Sequence, residues 1–75
     1  MRRMTVHTLD NRGLEPPEPM VRIFEALKNM PPGDQLQALM DREPILIYSE
    51  LERRGFAWRF EDDGPSQVLT VWREA

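Results

Sequence analysis

The sequence predicts an α+β fold: a two-layer α/β sandwich, in the order β-α-β-α-β-β, with two helices on one face of a mixed four-stranded sheet. Three observations lead there. The chain has 75 residues, enough for one small domain that buries a little over ~60% of the surface its unfolded form exposes. Proline and glycine cut it into short segments with turn chemistry between them. Inside those segments the apolar spacing switches between the period of a strand and that of a helix.

Residues 5–9 are short and rich in β-branched side chains, which predicts the first strand, and Asp10-Asn11-Arg12-Gly13 supplies a turn. In Glu15-Pro16-Pro17-Glu18-Pro19, each residue before a proline avoids the α region, so Glu15, Pro16 and Glu18 are expected to be extended or turn-like. A proline is tolerated in a first helical turn, so the helix is expected to start at or just before Pro19. Met20, Ile23, Phe24, Leu27 and Met30 fall on one helical face, Arg22, Glu25 and Lys28 on the other, and Pro31-Pro32-Gly33 stops the helix.

Leu36, Ala38 and Met40 alternate with Gln35, Gln37 and Leu39, giving a second strand. Asp41-Arg42-Glu43-Pro44 is an acidic turn whose proline opens a second helix with Ile47, Tyr48 and Leu51 on its apolar face. Glu50 and Arg54 stand four apart in the favourable order, and Gly55 is placed to end the helix in a left-handed conformation. Phe56, Trp58 and Phe60 share the core face of a third strand. After the turn at 62–65, a fourth strand over 67–72 carries Leu69 and Val71 on one face and Val68, Thr70 and Trp72 on the other. The last two strands form an antiparallel hairpin, and the first two, joined through a helix, form a right-handed parallel crossover. Residues 75 and below make one domain, 1–75, with residues 1–3 expected to be disordered.

Composition excludes several chemistries. Hydrophobic residues at 40% and charged residues at 31% fit a globular domain rather than a disordered tail. A net charge of −3 argues against a general nucleic-acid binder, which needs a basic footprint. With no cysteine there is no disulfide, thiolate metal site or sulfur nucleophile. No apolar run approaches a membrane span, and the basic start Met1-Arg2-Arg3-Met4 has no apolar stretch of signal-peptide length behind it, so a cytoplasmic protein without a membrane partner is expected.

The two acidic proline turns are the most informative polar feature. If the first two strands are parallel, Arg12, Glu15 and Glu18 come beside Asp41, Arg42 and Glu43 at one sheet edge, next to both helix starts. Glu18 and Glu43 there either satisfy the helix ends, as acids often do, or belong to a charged docking edge. Glu15 and Glu18 as a hydrolytic pair lack a cleft and desolvating aromatics. His7, the single histidine, fits an ordinary strand residue better than a metal ligand, and with Glu15 or Asp41 it makes at most a weak site. No metal and no cofactor is therefore expected. Pro16 to Pro19 has P-x-x-P spacing but reads as a rigid helix entry, the methionines read as core filling, and Ser49 and Ser66 lack triad partners. Trp72 is the aromatic best placed to be exposed, with Arg59 and Arg73 nearby, as a partner or homodimer contact or as a tryptophan packed across the sheet.

Residues 9–20, Leu-Asp-Asn-Arg-Gly-Leu-Glu-Pro-Pro-Glu-Pro-Met, resemble the signature of the TusA/SirA-like family, whose members carry Gly-Leu-x-Cys-Pro-x-Pro at the start of the first helix and share the β-α-β-α-β-β order. Gly13, Leu14, Pro17 and Pro19 stand where that motif places them, and Pro16 stands in place of its sulfur-carrying cysteine. The chain is most similar to the cysteine-less, uncharacterised branch of that group, which favours Arg-Gly-Leu-Glu-Pro-Pro and Asp-Arg-Glu-Pro; these stand here at residues 12–17 and 41–44. The resemblance implies the fold and rules out persulfide transfer. It implies a non-catalytic protein-interaction module, a monomer or weak homodimer that docks another protein through the Arg12–Glu18 and Asp41–Glu43 edge. The alternative is a small-ligand or metal-binding regulatory domain in redox or nitrogen-oxide metabolism.

Overall fold

The computed structural model describes residues 3–73. Of the residues expected to be disordered, 1 and 2 lie outside the described residues, and Arg3 is exposed and belongs to no element. The element order is the expected one: β1 (Val6–Asp10), α1 (Glu18–Lys28), β2 (Gln35–Leu39), a 3-10 turn (Ile45–Ile47) running into α2 (Tyr48–Arg53), β3 (Phe56–Asp62) and β4 (Gln67–Arg73). The four strands make one mixed sheet in the order β1-β2-β4-β3. β1 and β2 are parallel, while β4 is antiparallel to both of its neighbours.

Alternation in the strands decides which side is covered. His7 and Leu9 lie level with Leu36 and Ala38, and these with Val71 and Leu69, then with Trp58 and Phe60. On that face Leu36, Ala38, Leu69, Val71 and Phe56 are buried against Ile23 and Leu27 of α1 and Leu51 of α2. Full burial of such side chains stabilises the fold by roughly 1.5–3 kcal/mol each. Both helices therefore sit on one face, and the other remains uncovered. The uncovered face carries three cross-strand rows: Val6, Gln35, Trp72 and Ala57; Thr8, Gln37, Thr70 and Arg59; Asp10, Leu39, Val68 and Glu61. Trp72 is half-buried there. Arg59 shares its face, whereas Arg73 alternates to the helix side and lies 4.5 Å over the Phe56 ring.

Local chemistry explains the element ends. Pro19 falls in the first turn of α1, where its missing N–H has no intrahelical partner to lose. Glu18, expected to be extended, is instead the first helical residue, with its amide donating to the Glu15 carbonyl at 2.9 Å. Pro44 starts a 3-10 turn rather than the α-helix itself, and the Ile47 amide bonds the Pro44 carbonyl at 3.2 Å. Gly55 has φ +86°, the left-handed conformation expected of it, and its amide closes α2 on the Glu52 carbonyl at 3.0 Å.

Candidate functional site

Because β1 and β2 are parallel, the loops that leave them share one sheet edge. Asp10 ends β1. Its carboxylate takes two hydrogen bonds from the Arg12 guanidinium, Nε and Nη2 each at 2.8 Å, and one from the Arg12 amide at 3.1 Å. This bidentate pair closes the turn and holds the Asp10 carboxyl well below the usual carboxylate range, while the same contact raises the Arg12 guanidinium. The Asp10 carbonyl accepts a bond from Arg22 Nη1 at 2.7 Å, which fixes α1 to the end of β1.

Gly13 carries the connection across. At φ +79° its amide donates to Asp41 Oδ2 at 2.6 Å, joining the loop after β1 to the loop after β2. The Asp41 carbonyl in turn accepts from Gln67 Nε2 at 3.0 Å, at the start of β4. Beneath these loops Asn11 is buried, 1% exposed. Its amide donates to the Leu39 carbonyl at 2.9 Å, one step beyond the parallel ladder, and its side-chain Nδ2 donates to the Pro19 carbonyl at 3.0 Å. The edge is thus built by bonds between its own loops.

The candidate residues fall into two groups. Arg12 and Asp41 are engaged as described, and Glu43 Oε2 accepts the Tyr48 hydroxyl at 2.9 Å. Burial, and then that bond, push the Tyr48 phenol above its ordinary value, and its ring stacks on Trp58 with centroids 5.0 Å apart. Glu15, Glu18 and Arg42 are exposed, and no side-chain hydrogen bond or ion pair holds them among the described residues. Neither Glu18 nor Glu43 caps a helix by a side-chain bond: Pro17 stands at the N-cap of α1 and Pro44 before the 3-10 turn. In the proline motif, Leu14 and Pro19 are half-buried, whereas Pro16 and Pro17 are exposed.

Sequence reasoning missed other members of this edge. Asp10 and Asn11 were read only as turn residues, and Arg22 only as part of a polar helix face. Ile45 and Leu46 follow Glu43 and Pro44 directly and are 64% and 93% exposed, so two large apolar side chains stand in solvent beside the charges. Position in the run gave the one available signal: they precede Ile47, the first residue of the apolar stripe.

His7 does not join Glu15 or Asp41. It pairs with Asp34 at the other end of β2, Nε2 to Oδ2 at 3.0 Å, while the Asp34 Oδ1 accepts the Thr5 amide at 3.2 Å. Register explains this, because His7 lies opposite Leu36, roughly 16 Å along the strand from Asp41. Among the described residues no group of three or more His, Cys, Asp or Glu could hold a metal ion, and no helix is long and apolar enough to cross a membrane.

A family model described as an uncharacterized conserved protein (DUF2249) matches residues 8–73, from within β1 to the end of β4. No curated protein and no solved structure matches the chain.

Proposed function

As the chain belongs to this family of uncharacterized conserved proteins (DUF2249), we propose that it is a non-catalytic module that docks another protein through the Asp10–Asp41 edge. The observation that carries this reading is the division of labour there. Asp10, Arg12, Gly13 and Asp41 are spent on holding the two loops together. Glu15, Glu18 and Arg42 hold no ion pair or side-chain hydrogen bond among the described residues, and the exposed Ile45 and Leu46 follow Arg42 and Glu43 in the loop after β2. Exposed apolar side chains in the same loop as accessible charges have the composition of a binding surface, apolar anchors with charges that steer. Acids outnumber bases on this edge, so a partner with a basic face fits it.

The TusA-like resemblance supports the same reading. The Gly13-Leu14 and Pro17 to Pro19 positions of that motif are present, and the position of its cysteine is taken by Pro16, which has no nucleophile. A protein of that group without its sulfur chemistry retains a surface for being passed between partners.

The test is affinity capture from lysate of the source cells with four baits: wild type, Glu15→Lys with Glu18→Lys, Leu46→Asp, and Lys28→Glu as a control at the far end of α1. All four are first shown to be folded by circular dichroism. A partner held by wild type and by the control, and lost by both edge variants, is the expected result. Equal capture by all four removes the edge from the interaction.

A further inference from the structure

A second surface runs from Met20 to the far end of α1, in the groove between α1 and the junction of α2 with β3, and it has the opposite character. The groove has a volume of about 530 Å³, inside the range of roughly 300–1,000 Å³ typical of small-molecule sites. Its walls are apolar: Met20 and Val21 on α1 are 42% and 45% exposed, and Phe24 and Phe56 line it further in. Its charged groups are Lys28, Arg54 and Arg73, against the single acid Glu25. A chain of net charge −3 has therefore gathered a local excess of cations around an apolar groove.

The two arginines are held in place by the aromatic groups of the groove. The Arg54 guanidinium lies over Phe24 and that of Arg73 over Phe56, each 4.5 Å from the ring centroid. A guanidinium stacked in this way keeps its N–H donors in its own plane, free to meet an oxyanion. Arg54 already shares its Nε with Glu50. Arg73 and Lys28 have no ion-pair partner among the described residues.

We propose that this groove binds a small monocarboxylate with an apolar body, such as a free medium-chain or aromatic acid, its carboxylate at Arg73 and Lys28 and its body along Met20, Phe24 and Phe56. Charge complementarity selects an anion, and the lining selects one that is mostly apolar. Its cationic end lies at the opposite end of α1 from Glu18, and its test involves no protein partner.

The test is an amide chemical-shift titration of the whole chain with octanoate below its micelle concentration, and with octylammonium as the opposite-charge control. Saturable shifts confined to residues 20–28, 54–56 and 73 are expected with octanoate and not with octylammonium. Lys28→Gln and Arg73→Gln, which remove a charge at exposed positions and keep a polar side chain, should each weaken octanoate binding about three- to tenfold, and Arg59→Gln, exposed on the opposite sheet face, should leave it unchanged. Absence of saturable shifts at millimolar octanoate, equal binding of octylammonium, or full affinity in Arg73→Gln overturns the proposal. The wild-type comparison of the two probes decides the question even if a variant fails to fold.

Discussion

Thr70 lies in the middle of the uncovered sheet face, level with Gln37 on one side and Arg59 on the other, and is only 1% exposed. Among the described residues its hydroxyl finds no hydrogen-bond partner. A buried hydroxyl in that condition has lost its water without recovering a bond, at a cost of about 1–3 kcal/mol. Valine has nearly the same shape and no such loss. Thr70→Val is therefore expected to stabilise the fold by about 1 kcal/mol, read as a higher urea midpoint at unchanged slope. A second buried side-chain oxygen without a partner among the described residues, Asn11 Oδ1, predicts no such gain, because the same side chain donates to the Pro19 carbonyl. Removing it would cost the bond that ties the loop after β1 to the first turn of α1. The two residues look alike by burial and differ by what their second polar atom does.

Tyr48 shows how one element is held. α2 is a short helix with no side-chain N-cap, so its own backbone does little to keep it formed. Packing does that: Ile47 and Leu51 are buried, and the Tyr48 ring stacks on Trp58 of β3 while its hydroxyl donates to Glu43. Burial and the Glu43 bond both raise the phenol pKa. The folded chain thus holds that proton more tightly than the unfolded chain does. The sign follows: this stabilisation is fully present below the unfolded value of about 10 and is lost as pH rises above it. Tyr48→Phe keeps the stack and removes the titration. It is expected to cost about 0.5–1.5 kcal/mol at neutral pH and to flatten the loss of stability above pH 10, measured by denaturant melts across that range. Much at this scale was legible in the sequence. The alternations Leu36–Ala38, Phe56–Trp58–Phe60 and Leu69–Val71 identified the covered sheet face, and Ile23, Phe24, Leu27 and Met30 identified the buried stripe of α1, whereas Met20, expected on the same stripe and as core filling, is exposed at its start. Gly55 marked a left-handed turn that the structure contains. The 3-10 turn after Pro44 was not legible, since its residues continue the same apolar run as α2. Strand order was not legible either, because no local pattern says that β4 inserts between β2 and β3. The same limit hid the partner of His7: the parallel register, not the spacing of acids along the chain, brings it to Asp34. Arg12 and Asp41 were correctly placed on one edge, but their bonds to Asp10 and Gly13 depend on loop geometry that composition does not encode.

At the scale of the molecule, the edge and the groove are two surfaces of opposite charge on one scaffold, and α1 touches both. Glu18 begins the helix at the edge, and Lys28 ends it at the groove. Ten intervening steps at about 1.5 Å each separate them by roughly 15 Å. That distance exceeds the Debye length at physiological salt, about 8 Å, so charges at one end are largely screened from the other. Coupling would then need an element with two arrangements, and α1 is not built as one. Ile23 and Leu27 are buried at 0% and 1% exposure in the middle of it, and Arg22 ties it to the end of β1. A helix anchored in this way does not slide or tilt without opening the core, whose disruption in a domain of this length consumes much of a total stability of roughly 4–11 kcal/mol. The two surfaces are therefore expected to be thermodynamically independent. In a double-mutant cycle, Glu15→Lys with Glu18→Lys should change octanoate affinity by less than about twofold in both the wild-type and the Arg73→Gln background, the additivity of distant sites. A larger coupling at physiological salt would mean that α1 moves as a lever between edge and groove. Coupling seen only at low salt would be the unscreened field of the charges and would vanish on adding salt, which the same titrations at two ionic strengths separate.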